Sequence, residues 1–329
     1  MKKIAINGFG RIGRAAFKIA LSKPDIEVVA INDLTDAKTL AHLLQHDSIY
    51  GKFSHNVTAQ DTSLVIEGKS YPVLAIKEPD QLPWASMGVE VVIESTGRFT
   101  TKEGATKHIT AGAKKVIITA PVKANEVPTY LLGVNSGSPI TDTIISMASC
   151  TTNNLGPILS VISEKLGIKK AMMTTIHSYT ADQMLVDGPH KDLRRARSAA
   201  ENIVPTTTGA AIAVTQALPT LAHIFDGLSI RVPNPIVSLS DLTILVSRPT
   251  TKEEINTLLT EASLTPKYKG ILEVTTEELV SSDFIGSAAD AIIDLPLTNV
   301  VDGDLIKIIA WYDNEWGYSN RLVELAQKL

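Results

Sequence analysis

The stretch Ile4-Ala5-Ile6-Asn7-Gly8-Phe9-Gly10-Arg11-Ile12-Gly13 passes from an apolar run into three spaced glycines. The run reads as a buried parallel strand. Arg14 to Ser22 reads as the helix that follows, with Ala15, Ala16, Ile19 and Ala20 on one side. In such a turn the first glycine permits the tight bend and the second lets the backbone approach a pyrophosphate. The third lets helix and strand pack closely. Glycine-rich turns also occur without a ligand, so context decides. Val28-Val29-Ala30-Ile31 supplies the next strand, and Asp33 follows the glycines by about 20 residues, where a carboxylate binds the adenosine ribose hydroxyls. That charge also repels a 2′-phosphate, which favours NAD over NADP.

Outward from this point strands and helices keep alternating. Ala37 to Gln45 reads as a helix, Ser63 to Ile76 as a hairpin-like stretch, and Val89 to Ile93 as a strand ending at Ser95-Thr96-Gly97. A helix from Thr101 to Ala111 and a strand from Lys115 to Thr119 follow. Repeated β-α-β units predict an α/β domain of Rossmann type, a doubly wound parallel sheet with helices on both faces. Thr96, Gly97 and Thr119 then stand at strand ends, along the edge where such cofactors lie.

Beyond Cys150 the pattern changes. Gly156 to Leu166 reads as a helix and Ala171 to Ile176 as a strand. A stretch without clear periodicity runs from about Ser178 to Pro205, long enough to expect a functional or inter-subunit role. Leu228–Val232, Val237–Val246, Ala291–Asp294 and Leu305–Trp311 read as longer strands of antiparallel character, with helices at Glu253–Ala262 and Asn320–Lys328. These predict a second, α+β catalytic domain on a mostly antiparallel sheet. The expected division is 1–149 for the NAD-binding domain and 150–314 for the catalytic one, with the helix from about 315 to 329 packing back onto the first.

At 329 residues the chain exceeds one ordinary core, and 44% apolar against 20% charged residues describes a globular protein. A net charge of −4 gives no reason to expect nucleic acid or an anionic membrane as partner. No apolar run approaches membrane-spanning length, and Met1-Lys2-Lys3 leads straight into a strand pattern. With one cysteine, these features predict a cytoplasmic protein.

That one cysteine, Cys150, sits in Ser149-Cys150-Thr151-Thr152-Asn153. It cannot form an intrachain disulfide, and alone it is a poor basis for zinc. A buried filler and a nucleophile remain open. The small hydroxyl neighbours, with Asn153, Asn154 and Gly156, suit a loop entering a helix, whose N-terminus lowers a thiol's pKa. His177 ends the strand that follows and is the candidate base of a thiolate–imidazole pair. Beside a nucleotide site, such a pair suggests aldehyde oxidation through a thiohemiacetal and a thioester.

Two candidate anion sites accompany it. Arg231 lies within a strand pattern, where a charge needs a partner such as phosphate. Thr206-Thr207-Thr208-Gly209 precedes a helix and offers hydroxyls and backbone N–H groups. Arg194, Arg195 and Arg197, with His190 and Lys191, form a basic cluster that supplies further candidates for the site, or equally a solvated face or a set of inter-subunit ion pairs. Two anion sites near one thiol suit a phosphorylated aldehyde plus inorganic phosphate.

Over nearly its full length the chain resembles the phosphorylating glyceraldehyde-3-phosphate dehydrogenases. The matching segments include Asn7–Arg14, Ala148–Asn153, His177–Thr180, His190–Arg197, Pro205–Ala211 and Trp311–Ser319. The resemblance implies Cys150 as nucleophile and His177 as base. It implies that Ser149, Thr151, Thr208 and Gly209 face the attacking phosphate, and that Thr180, Arg195 and Arg231 hold the substrate phosphate. Gly8, Gly10, Arg11, Ile12, Asp33, Thr96, Gly97, Thr119 and Asn314 would bind NAD, with Asn314 orienting the nicotinamide amide. A homotetramer is also implied, the loop from about Ser178 to Glu201 lying near a neighbour's cofactor.

Four positions depart from the family's usual pattern. Met147 stands where Asn is usual and Ile212 where Lys is usual. The segment usually reading Arg-Val-Pro-Thr-Pro-Asn is Arg231-Val232-Pro233-Asn234-Pro235-Ile236, and Gly188-Pro189 replaces a Leu-Pro or Ala-Ser pair. These leave room for a related substrate such as erythrose 4-phosphate, or for a binding protein that has lost fast catalysis.

Overall fold

In a computed structural model of the chain, residues 1–122 and 126–329 are described. They form two compact units. The first comprises Met1–Tyr130, Ser138–Ala148 and Ser319–Leu329; the second comprises Leu131–Gly137 and Ser149–Tyr318.

The first unit opens with β1 (Lys2–Asn7), α1 (Arg11–Leu21), β2 (Ile26–Asn32) and α2 (Ala37–Gln45). A short pair, β3 (His46–Asp47) and β4 (Gly51–Lys52), precedes the meander β5 (Val57–Gln60), β6 (Ser63–Ile66) and β7 (Lys69–Leu74). Then come α3 (Trp84–Met87), β8 (Val91–Glu94), α4 (Lys102–Thr110), β9 (Lys115–Ile118) and β10 (Ile144–Ser146). The main sheet has the order β10-β9-β8-β1-β2-β7-β6-β5. From β10 to β7 neighbouring strands are parallel, and the meander adds two antiparallel strands at one edge. Ile4, Ala5 and Ile6 are wholly buried, as an apolar run covered on both faces requires. The chain leaves β1 on one side for β2 and reaches β8 on the other, the reversal that opens a crevice at the strands' carboxyl ends.

Helix α1 begins at Arg11, three residues before the Arg14 that the sequence pattern indicates. Gly8 holds a φ of +93°, and a Cβ there would fall 2.7 Å from Ser95 and Thr96 backbone atoms. A Cβ on Gly13 would meet Gly8 O at 2.1 Å, so strand and helix touch through hydrogen atoms alone. The last eleven residues lie with this unit: Lys2 Nζ donates to Gln327 O at 2.8 Å, and Leu322, Val323, Leu325 and Ala326 are buried.

The second unit contains α5 (Cys150–Lys165), β11 (Ile168–Ser178), β12 (Val204–Thr206), α6 (Ala210–Ala217), β13 (Phe225–Val232) and β14 (Ser238–Val246). It continues through α7 (Lys252–Ser263), β15 (Leu272–Thr275), β16 (Ala291–Asp294), β17 (Asn299–Val301) and β18 (Leu305–Tyr312) to the start of α8 (Trp316–Lys328). The sheet order is β12-β13-β11-β14-β18-β16-β15, with β17 against β18. Pairing is mostly antiparallel; β11–β13 and β15–β16 are parallel. Leu155, Ile158, Leu159 and Ile162 of α5 pack with Val214, Ile255 and Leu259 against Met173, Leu242, Ile244 and Ile308. Each such side chain contributes roughly 1.5–3 kcal/mol by leaving water.

Two boundaries differ from the sequence reading in ways that matter. Helix α5 begins at Cys150, six residues before Gly156, because Ser149 caps it. Strand β11 extends to Ser178, so His177 lies inside the ladder. Among the described residues no helix is long and apolar enough to cross a membrane.

Candidate active site

In the first unit, Gly8, Gly10, Asp33 and Thr96 line one cleft of about 290 Å³, together with Asn7, Asn32, Leu34, Ile76, Lys77, Ser95, Arg98 and Phe99. Gly10 is the N-cap of α1 with no side-chain cap, and a Cβ there would meet nothing within 4 Å. An open approach to a helix N-terminus fits a pyrophosphate. Asp33 accepts the Phe9 N–H at 2.7 Å through one oxygen and the Thr35 N–H at 2.9 Å through the other. It therefore ties the glycine turn to the end of β2 while its remaining lone pairs stay available for hydroxyl donors. Arg11, Ile12, Gly97 and Thr119 stand outside the lining. Arg11 is paired with Asp47 at 2.7 Å.

A polar group beneath this cleft escaped sequence reading. Glu94 is buried at the end of β8, where Oε2 accepts from Asn7 Nδ2 at 2.5 Å and from His108 Nε2 at 2.9 Å. The Trp84 indole N–H donates to His108 Nδ1 at 3.0 Å, which puts the ring's proton on Nε2, facing the carboxylate. Thr96 adds its backbone N–H to Glu94 Oε1 at 2.9 Å, and its hydroxyl to the same oxygen. Asn32 Nδ2 donates to Asn7 Oδ1 at 2.7 Å. These bonds compensate a buried charge and fix three cleft residues, Asn7, Asn32 and Thr96. Their partners lie up to 87 positions away, so no local motif announces them.

In the second unit, Cys150 is the first residue of α5 and Ser149 its N-cap, with Ser149 Oγ accepting the Thr152 N–H at 3.2 Å. Cys150 Sγ lies 3.5 Å from His177 Nε2. His177 Nδ1–H donates to Ser178 O at 2.7 Å, which leaves the Nε2 lone pair facing the thiol. Burial pushes the Cys150 thiol up to about 11, opposed by the Arg231 charge and by hydrogen bonds from Thr151. Burial, reinforced by the Arg231 charge, pushes His177 down to about 3. Each group taken alone is held neutral. Moving the proton from Sγ to Nε2 leaves the pair's net charge at zero.

The parallel register of β11 and β13 sets Arg231 beside His177. Arg231 Nη1 donates to Ser178 O and to Thr180 Oγ1, both at 3.2 Å, while its buried Nε has no protein partner. Arg195 donates from Nε to Thr206 Oγ1 at 3.0 Å and from Nη2 to Thr207 O at 3.1 Å, and it is paired with Asp182. After burial, repulsion from Arg195 is the largest influence lowering the Arg231 pKa. Two guanidiniums that repel each other, one with an orphaned donor, fit an anion. Thr208 and Gly209 head α6, with Thr208 Oγ1 accepting the Ala210 N–H at 3.2 Å. Asn314 Oδ1 accepts from Ser178 Oγ at 2.9 Å and Ser238 Oγ at 3.1 Å, which leaves its NH₂ to donate elsewhere.

Tyr312 is a further residue that sequence reasoning missed. Its hydroxyl bonds Thr151 Oγ1 at 2.8 Å and Thr175 Oγ1 at 2.9 Å, and its ring meets His177 edge-on at 6.1 Å between centroids. Of the four departures, Met147 and Ile236 are buried, Ile212 is exposed, and Gly188 is partly exposed.

Residues 2–102 match the family model for the glyceraldehyde 3-phosphate dehydrogenase NAD binding domain, and residues 149–314 match that for the C-terminal domain. Glyceraldehyde-3-phosphate dehydrogenase of Geobacillus stearothermophilus is 53% identical over 326 residues, covering 98% of this chain and 97% of that one. The Thermotoga maritima protein of the same name is 52% identical over 332 residues, 100% of this chain and 99% of that one. That of Streptomyces coelicolor is 49% identical over 326 residues, 98% and 97% of the two chains. With both domain models matched in order and half of all positions identical along the whole length, the chain belongs to the glyceraldehyde-3-phosphate dehydrogenase family.

Proposed function

We propose that this chain catalyses the NAD-dependent, phosphorylating oxidation of glyceraldehyde 3-phosphate to 1,3-bisphosphoglycerate, reversibly. The observation that carries the reading is the thiol of Cys150, at the first turn of α5, 3.5 Å from His177 Nε2. Gly8, Gly10, Arg11, Ile12, Asp33, Thr96, Gly97 and Thr119 are the NAD-binding residues, and Asn314 takes the nicotinamide amide. When bound, NAD supplies the acceptor for the hydride that leaves the substrate carbon. Residues 1–149 with the last helix serve the cofactor, and 150–314 carry the chemistry.

The Sγ proton passes to His177 Nε2, and the thiolate attacks the aldehyde carbon. His177 returns that proton to the oxyanion, giving a thiohemiacetal. It then takes the hydroxyl proton as the carbon is oxidised to a thioester. A phosphate oxygen attacks the thioester carbonyl and the C–S bond breaks. Sγ leaves as a thiolate beside protonated His177, and the phosphate's own proton is lost to water. Thr180, Arg195 and Arg231 hold the substrate phosphate. Ser149, Thr151, Thr208 and Gly209 face the attacking one. The Nε of Arg231, buried without a protein partner, supports an anion there.

We also propose a homotetramer. Leu185, Val186, Leu193 and Ile203 are 80%, 72%, 81% and 70% exposed in the stretch between β11 and β12, apolar side chains that self-association would cover. The lone thiol supports a reducing, cytoplasmic setting. A steady-state assay with NAD or NADP, with or without inorganic phosphate, tests the reaction. Strict dependence on phosphate is expected, and turnover by Cys150→Ser would sink the mechanism. Sedimentation equilibrium tests the assembly; a monomer at micromolar concentration overturns it.

A further inference from the structure

Val237 holds a φ of +66°, a left-handed backbone that strains a β-branched residue, and it is buried at the entrance to β14. Asn234 restrains it. Asn234 Nδ2 donates to Ile236 O at 2.7 Å and to Val237 O at 3.2 Å, the carbonyls of the two peptide planes that flank the strained Cα. Asn234 is itself tied down through its backbone, donating to Val232 O at 2.7 Å and accepting the Tyr179 N–H at 3.1 Å. The next residue, Ser238, accepts the Ser178 N–H at 3.1 Å and donates to Asn314 Oδ1 at 3.1 Å. One side-chain amide thus holds the conformation that carries Ser238 Oγ to Asn314.

We propose that Asn234 is a positioning residue for the nicotinamide end of NAD, acting through Val237, Ser238 and Asn314. This rests on the reading of Asn314 as partner of the nicotinamide amide. The amide also stands two places from its usual position, since the family pattern has Thr here and Asn where Ile236 stands. In this chain the carbonyl of Ile236 is one of the two groups that Asn234 holds.

The test compares NAD with ADP-ribose, which lacks nicotinamide, by titration calorimetry on the full chain. In Asn234→Ala the NAD affinity falls about tenfold, the effect of one lost hydrogen bond, while ADP-ribose affinity stays unchanged. Alkylation of Cys150 by iodoacetamide without NAD also stays unchanged, while hydride transfer slows. Asn234→Asp, isosteric but without donors, behaves like the alanine variant. Asn234→Ala/Val237→Gly recovers the NAD margin, because glycine takes a positive φ without being held. Should the single variant fail to fold, the double variant decides. Equal loss for both ligands, an intact NAD margin in Asn234→Ala, or no recovery with glycine overturns the role of Asn234. A parent chain that binds NAD no more tightly than ADP-ribose overturns instead the reading of Asn314.

Discussion

His177 and Arg231 are register partners in the parallel pair of β11 and β13, so the base of the site stands beside a guanidinium whose Nε is buried. That cation favours the thiolate of Cys150 and disfavours protonation of His177. When a phosphate dianion neutralises it, the imidazole becomes the better proton acceptor. If Arg231 holds the substrate phosphate, as proposed, one residue links substrate capture to base strength.

Removing that guanidinium has a size that can be stated. Arg231→Leu deletes a charge-assisted contact worth about 1.5–3 kcal/mol, so kcat/KM for glyceraldehyde 3-phosphate falls about ten- to hundredfold. Initial rates against substrate concentration measure it. An aldehyde without a phosphate group shows a much smaller loss.

The thiol's reactivity depends on its acceptor. In His177→Asn burial acts on Cys150 without a nearby base, and the alkylation–pH curve moves to higher pH than in the parent. Turnover falls about 10²- to 10⁴-fold. Stopped-flow alkylation between pH 5 and about 10 reads the displacement. A curve that moves to lower pH contradicts the pairing.

Fold stability has two pH edges. The folded-state pKa of His177 is depressed from 6.5 to about 3, so its contribution is present above 6.5 and lost as pH falls below that value. The Cys150 pKa is raised from 9.0 to about 11, so its contribution is present below 9.0 and lost as pH rises beyond it. Urea midpoints should therefore form a plateau between these edges. On either side the slope approaches about 1.4 kcal/mol per pH unit. His177→Asn flattens the acid edge, and Cys150→Ser the alkaline one.

Two glycines of the same turn respond in opposite ways. Gly13→Ala drives a methyl into Gly8 O, 2.1 Å away, and destabilises the first unit. Gly10→Ala adds a methyl with no neighbour within 4 Å. Its melting temperature stays within about 2 °C of the parent, a surface-like change. NAD affinity nevertheless falls by an order of magnitude or more, because the methyl occupies the pyrophosphate's approach. Calorimetric melting and NAD titration together separate the two.

Periodicity made the first unit legible, since parallel strands covered on both faces are continuous apolar runs. It failed at α5. The first turn holds Thr151, Thr152, Asn153 and Asn154, polar yet buried, and Gly156-Pro157 imitates a helix start inside the helix. It was silent from Ser178 to Pro205, where order comes from specific bonds such as Arg197 to Asp187 at 2.9 Å and Thr206 to Asp192 at 2.6 Å. Cys150, His177 and Arg231 were readable by residue type. Tyr312, Glu94 and Asn234 were not, because their meaning lies in partners that only folding brings near.

The Tyr312 hydroxyl has a mechanical consequence. It is pinned at once to Thr151, next to the nucleophile on α5, and to Thr175, two residues before the base on β11. Nucleophile and base are therefore cross-braced by a single oxygen, independently of the long aperiodic stretch. The sulfur-to-nitrogen gap is thus set by a shared brace, as one rivet sets the spacing of two plates.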